Sequence, residues 1–133
     1  MEKLTMKKLI LTVVITLISL AAYAATITTL LSSVTSTGAG RGVNYTLFSP
    51  GVPLPIRTFQ ATLNGASAIS ATVEVDGSND NVNWVPVMTI TLPNSTTSAM
   101  TDGGPTDQSW GWLRGNVIAM SGVGGSVTLI SVQ

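Results

Sequence analysis

The 133-residue sequence contains neither cysteine nor histidine. The lack of cysteine excludes disulfides and thiol nucleophiles, and the lack of histidine removes the usual imidazole base and the commonest zinc ligand. A serine nucleophile would have no base to activate it, because no histidine is present and no lysine follows Lys8. We therefore predict a protein with no enzymatic activity, no catalytic residues and no cofactor.

Charge is also scarce, at 9% of the residues. The three lysines lie within the first eight residues, so the chain from Ala25 onward carries three arginines and five acidic residues, a net charge of −2. This part of the chain has no basic patch that could neutralise phosphates. Nucleic acid is therefore not an expected partner.

The N-terminus differs in composition from the rest of the chain. "MEKLTMKKLILTVVITLISLAAYAA" has a basic start, a weakly polar to apolar run from Leu9 to Leu20, and an A-x-A site at residues 22–24. This layout predicts a secretory signal peptide over residues 1–24, cleaved before Ala25. A membrane anchor is the alternative, in which residues 9–25 contact the bilayer; as a helix they would span about 25 Å of a core about 30 Å thick.

Two later segments alternate cleanly between apolar and polar residues. Alternation with a period of two indicates half-buried strands of an antiparallel sheet. In residues 57–63 the inward positions are Phe59, Ala61 and Leu63. In residues 69–76 they are Ile69, Ala71, Val73 and Val75, which places Glu74 and Asp76 on the outward face.

Further strands are predicted over residues 84–92, 110–120 and 126–132, with weaker ones in "TITTLLSSV" and "GVNYTLF". Glycine- and asparagine-rich clusters, "TDGGPTD" among them, separate these segments as turns, and Pro86 suggests a sheet edge or a bulge. The pattern predicts an all-β protein with a single antiparallel β-sandwich or jelly roll of about seven to eight strands. We expect residues 43–133 to form the sandwich, and residues 25–42 to form a flexible N-terminal arm with a weak strand.

The stretch "VEVDGSNDNVNW" (73–84) reads as a hairpin turn or as a metal site. Asp-Gly followed by asparagines supplies residues that tolerate positive φ and bond to their own backbone, as a tight connection requires. Calcium is the alternative ligand, with oxygens from Asp76, Asn79, Asp80 and Asn81. The spacing lacks the bidentate glutamate that closes an EF-hand loop, so we predict the turn and no metal.

Glu74 and Asp76 are also a candidate catalytic pair. Two residues apart on one strand, their side chains would lie about 7 Å apart, a spacing found in inverting glycosidases. The solvated face of a strand is expected to carry acids without any catalytic role. We predict that the pair is not catalytic.

Trp110, Trp112 and Arg114 are the candidate partner-binding residues. Their spacing in the sequence places all three on one side of a strand. Exposed, the two indoles would form a sugar platform or a protein contact; buried, they would fill the sandwich core. Arg114 could stack on Trp112 or pair with an acid of a partner.

The sequence resembles a family of small virion proteins of tailed and related bacteriophages. The resemblance rests on the F-x-A-x-[VL] strand in "FQATL", the "GSNDNVNW" stretch, the "TITL" strand and the final pair around "VIAMSG", and it covers nearly all of residues 25–133. It implies an exterior virion component such as a capsid decoration protein, a sandwich or jelly-roll fold, and no enzymatic activity. The leader departs from this pattern, because a virion protein assembled in the cytoplasm does not need one.

Two functions therefore remain. The first is a structural subunit of a phage particle, located in the virion, whose partners are other virion subunits or copies of itself as a homo-oligomer. The second is a secreted, periplasmic or membrane-anchored binding module whose ligand is a glycan or a protein.

Overall fold

The computed structural model describes residues 25–45, 56–65, 68–95 and 99–133. The leader predicted over residues 1–24 lies outside this range, as does the end of the weak strand expected in "GVNYTLF". The described residues form nine strands: β1 (Ile27–Val34), β2 (Gly38–Ala39), β3 (Val43–Asn44), β4 (Arg57–Asn64), β5 (Ile69–Ser78), β6 (Val85–Ser95), β7 (Met100–Thr106), β8 (Trp112–Ser121) and β9 (Ser126–Val132). In this part of the chain no helix is long and apolar enough to cross a membrane.

The strands form two antiparallel sheets. The first sheet has the order β1-β9-β4-β7, and the second has the order β2-β8-β5-β6, with β3 also paired to β8. The connections β4–β5, β6–β7 and β8–β9 each pass from one sheet to the other. This arrangement confirms the predicted all-β sandwich.

The core lies between the two sheets and follows the predicted alternation. All seven residues predicted to point inward from β4 and β5 are at most 3% exposed. Leu113 and Val117 of β8 and Leu129 of β9 close the core from the neighbouring strands. Burial of these β-branched and aliphatic side chains supplies the main favourable term in folding.

Strand β1 is a full member of the first sheet. The segment expected to be an arm with a weak strand pairs with β9 from Ile27 to Val34, and both Leu30 and Leu31 enter the core. Two register shifts and a positive φ of 49° at Ser33 turn these adjacent leucines inward together, which a strict period of two would not do. The irregular spacing explains why the sequence pattern is weak here.

Strand β7 was predicted as a turn, and that prediction is wrong. Met100–Thr106 pairs with β4 along its whole length, from Leu63 to Arg57. The glycines allow close approach, since a Cβ on Gly103 would collide with the carbonyl oxygen of Phe59. Pro105 is tolerated because β7 is the edge strand.

Pro86 behaves as predicted. Strand β6 is the edge of the second sheet, and a register shift lies where Val75 pairs with Met88 and Asp76 pairs with Pro86. Proline has no backbone N–H to donate to a neighbouring strand, and at an edge or a bulge no such donor is needed.

The sandwich has two distinct ends. The terminal end comprises Thr26 and Gln133, which exchange two backbone hydrogen bonds of 2.9 and 3.1 Å, together with the β5–β6 loop (79–84) and the β7–β8 connection (107–111). The glycine end comprises residues 35–37 and the β8–β9 turn (122–125). The candidate site residues lie near the terminal end.

The core assignment can be tested by two substitutions on β4. Leu63→Ala should lower the free energy of unfolding by about 2–5 kcal/mol, because it leaves a cavity between the sheets. Gln60→Ala, on the exposed face of the same strand, should change it by less than about 0.5 kcal/mol. Urea denaturation measures both, and equal effects would contradict the inward assignment.

Candidate functional site

The hairpin between β5 and β6 is organised by Asp80. Its Oδ1 accepts hydrogen bonds from the backbone N–H groups of Val82 (2.9 Å) and Asn83 (2.8 Å) and from the Ser78 hydroxyl (2.9 Å). Its Oδ2 accepts one from Asn83 Nδ2 (2.7 Å). The Ser78 hydroxyl, fully buried, also accepts one from the Asn81 N–H at 2.9 Å. The predicted hairpin turn is confirmed.

These donors act directly on the charge of Asp80. Hydrogen bonds from the backbone and side chain of Asn83, and from Val82 and Ser78, hold the pKa of Asp80 far below its ordinary value. Each donor favours the ionised carboxylate over the protonated form. Asp80 is therefore a loop-capping carboxylate.

The four candidate metal ligands have separate roles. Asp76 Oδ2 bonds to Arg114, and Asn79 Oδ1 accepts from the Gly111 N–H at 3.3 Å. Asn81 adopts a positive φ of 61°, as the turn requires. Across the described residues, no group of three or more histidine, cysteine, aspartate or glutamate side chains could hold a metal ion.

Asp76 is buried, contrary to the prediction of a solvated outward face. It is the cross-strand partner of Arg114 in the β5–β8 pairing, and Arg114 Nε donates to Asp76 Oδ2 at 2.9 Å. The side chains of Arg114 and Asp76 are 23% and 5% exposed. Alternation predicted the correct side of the strand, but it could not show that residues from β8 and the hairpin loop cover this position.

Trp84 completes this cluster. The Arg114 guanidinium lies 4.3 Å from the centroid of the Trp84 ring, a cation–π contact. The segment between β2 and β3 also packs on the Trp84 ring. A Cβ added to Gly42 in this segment would be 2.8 Å from Trp84 Cη2. We call Asp76, Arg114 and Trp84 the Trp84 stack. Arg114 thus stacks on Trp84, whereas the sequence suggested Trp112 or a partner's acid.

Trp110 and Trp112 do not form a pair on one strand face. Strand β8 begins at Trp112, while Trp110 lies in the preceding connection and packs against the core. The Trp110 ring covers Gly77, where any side chain would collide with it. Both indoles are partly buried, and Trp110 Nε1 donates to Gln108 Oε1 at 3.3 Å.

A second buried arginine was missed from the sequence. Arg57 is 2% exposed, lies 4.5 Å over the Tyr45 ring and donates from Nε to Gln133 Oε1 at 3.2 Å. Burial is the main cause that lowers its pKa from the ordinary value, and Tyr45 partly offsets this. The sequence pattern did indicate this burial, because Arg57 lies two residues before the inward-facing Phe59 and so faces the same side of β4.

An open groove of about 390 Å³ lies where the edge strands β6 and β7 meet. Its walls include Ile56, Met88 and Pro105. None of the site residues predicted from the sequence lines it.

No protein-family model matches the sequence. No curated protein matches it either. Among solved structures, the SPBc2 prophage-derived protein YomS is similar, with 14% identity, a TM-score of 0.48, and coverage of 82% of this chain and 91% of that one. A likeness at this level carries no argument about function.

The Trp84 stack should stabilise the fold. Asp76→Asn should lower the free energy of unfolding by about 1–3 kcal/mol, because it leaves a largely buried guanidinium without its carboxylate. Glu74→Gln, the next outward position on the same strand, is the control and should have an effect below about 0.5 kcal/mol. Adding Arg114→Met to Asp76→Asn should give clearly non-additive effects in a double-mutant cycle; additivity would contradict the coupling.

The Asp80 cap should make stability depend on pH. Because folding lowers its pKa, Asp80 contributes stability that is present above the ordinary aspartate pKa of about 3.9 and lost as the pH falls toward the folded value. Asp80→Asn should therefore lower the melting temperature at neutral pH, and its difference from wild type should shrink as the pH falls from about 5 to about 2. Asp107→Asn removes another exposed charge near the terminal end and serves as the control. A gap that stays constant with pH would contradict this role of Asp80.

Proposed function

We propose that the chain is a non-enzymatic structural protein of a bacteriophage particle, an exterior capsid decoration or cement protein or another minor virion component. It works through contacts with other virion subunits or with copies of itself. The resemblance of its strands and turns to small virion proteins supports this role. The structure adds a candidate contact surface.

That surface is the outer face of the first sheet, and it is the observation on which the proposal rests. The inward positions of β4 and β9 fill the core, so the alternate positions face outward. With the outward positions of β1 and β7 they form one uncharged face. It consists of hydroxyl, amide and β-branched residues with one glycine and one proline: Ile27, Thr29, Thr58, Gln60, Thr62, Asn64, Thr101, Gly103, Pro105, Thr128, Ile130 and Val132. Apposing such a face to another subunit desolvates no charge.

The polar residues near the terminal end support the same conclusion. The Asp76 and Arg114 charges neutralise each other within the fold, and Asp80 is saturated by its own loop. The structural roles of these residues support surface contact as the means of action.

A secreted glycan-binding module is less well supported. Such a module needs exposed indole faces on which sugar rings can stack. The Trp84 ring is covered by Arg114 and Gly42, and the Trp110 ring lies on Gly77. This packing favours a structural role for both residues.

The proposal predicts that charge on the outer face of the first sheet weakens particle association. Phage particles from a strain that carries the gene should contain the wild-type protein at a fixed copy number after gradient purification. Gln60→Arg with Thr62→Arg should lower that copy number strongly, because each arginine would have to lose water at the contact.

The matched control is Thr72→Arg with Thr91→Arg on the outer face of the second sheet, where these two threonines are cross-strand partners. This variant should bind particles as the wild type does, and both variants should melt cooperatively. A wild-type protein absent from purified particles would overturn the proposed function.

A further inference from the structure

Of the three arginines that the structure describes, Arg41 is the one whose charge is available to a partner. Arg57 is 2% exposed, and Arg114 is paired with Asp76 at 2.9 Å. Arg41 is exposed, and within the described residues it takes part in no salt bridge and no cation–π contact. An exposed arginine combines a planar cation with an aliphatic stem, so it suits a carboxylate that lies beside an apolar surface.

The backbone on both sides of Arg41 is held in place. The Gly40 N–H donates to the backbone of β8 at 2.8 Å, and a Cβ added to Gly40 would collide with Leu31. On the other side, Gly42 packs on Trp84. Arg41 is therefore presented from a fixed point between β2 and β3, at the edge of the second sheet that lies opposite β6. A fixed backbone lowers the entropy that is lost when a contact forms.

The opposite side of the sandwich carries a groove with a carboxylate beside an apolar wall. This is the groove of about 390 Å³ between the edge strands β6 and β7, where Ile56 and Met88 supply apolar surface and Asp107 lies beside them. Asp107 is exposed, and no salt bridge joins it to another residue in the part of the chain that the structure describes. The groove therefore offers both features that an arginine side chain requires.

Arg41 and the groove lie at the same height along the strands. Strands β2 and β3 pair with β8 on either side of Arg114, which places Arg41 level with Arg114. Arg114 is the cross-strand partner of Asp76, and Asp76 pairs with Pro86 of β6, two residues before the groove residue Met88. A sideways shift of one copy, with no movement along the strands, therefore brings its Arg41 to the groove of the next copy.

We propose that copies of this chain associate side by side, with Arg41 of one copy in the β6–β7 groove of the next. The arginine stem packs against Ile56 and Met88, and the guanidinium binds the Asp107 carboxylate. Because Arg41 and the groove lie on opposite sides of the sandwich, a copy that fills its neighbour's groove leaves its own groove open. Association of this kind continues into a row or closes into a ring of several copies. The contact goes beyond the proposed particle contact, which uses the outer face of the first sheet.

The test is sedimentation velocity of the full-length protein over a concentration series, in a mild non-ionic detergent that keeps residues 9–25 from associating by themselves. The average mass of the wild type should rise past that of a dimer, and less so at high salt, because salt screens an ion pair near the surface. Arg41→Glu and Asp107→Arg should each weaken association at least about tenfold, since each places like charges together. The two changes in one chain restore opposite charges and should recover most of the association.

The matched control is Asp102→Arg, which changes an exposed acid of β7 that does not line the groove. It should associate as the wild type does, and with Arg41→Glu it should give no recovery. All variants should melt cooperatively, so that loss of association is not loss of the fold.

Three results would contradict the proposal: a wild type that stays monomeric, a wild type that stops at a dimer, and a charge-swapped chain no better than the single variants. Each is measured without particles, so failure here is distinguished from failure of the virion role, which the particle copy number tests.

Discussion

The ion pair between Asp76 and Arg114, with Trp84 stacked on the guanidinium, holds the second sheet to its hairpin loop. It links the two central strands, β5 and β8, to the loop before β6 and to the segment that carries Gly42. The Asp76 carboxylate is buried and the Arg114 guanidinium is partly buried, so the pair is favourable only in good geometry, since each charge loses hydration. The 2.9 Å contact and the cation–π face supply that geometry. Residues that resemble a binding site in the sequence therefore form a structural unit.

The hairpin loop (79–84) contains Trp84 and makes further contacts at the terminal end. Asp80 accepts hydrogen bonds from the backbone N–H groups of Val82 and Asn83. Its neighbour Asn79 accepts one from the Gly111 N–H. That bond holds the connection in which Trp110 lies, and the Trp110 ring in turn covers Gly77 of β5. The Asn79 bond thus joins the two loops, and the Trp110 ring joins the second of them to β5. The β5–β6 loop and the β7–β8 connection are thus held to each other and to the second sheet.

The sequence predicted strands and their inward-facing residues correctly where apolar and polar residues alternate regularly. Strands β4 and β5 alternate without interruption, so their inward residues could be assigned one by one. Strand β1 gave only a weak signal because its register shifts bring Leu30 and Leu31 inward together, and β7 gave none because glycine and proline usually mark turns. The Trp84 stack could not be predicted, since Arg114 is distant in sequence from both Asp76 and Trp84. Alternation of apolar and polar residues along a strand shows which side of the sheet a residue faces, but not which other residues cover that side.

The edges of both sheets are built in ways that discourage the addition of another strand. Strand β1 has two register shifts, β6 carries Pro86 and Pro93, and β7 carries Pro105. The remaining edge is divided into the two-residue strands β2 and β3. Proline, bulges and very short strands each interrupt the row of backbone donors and acceptors that a partner strand would need. Association by extension of a sheet is therefore disfavoured at all four edges, and side-chain surfaces remain for partners. The uncharged outer face of the first sheet is one such surface.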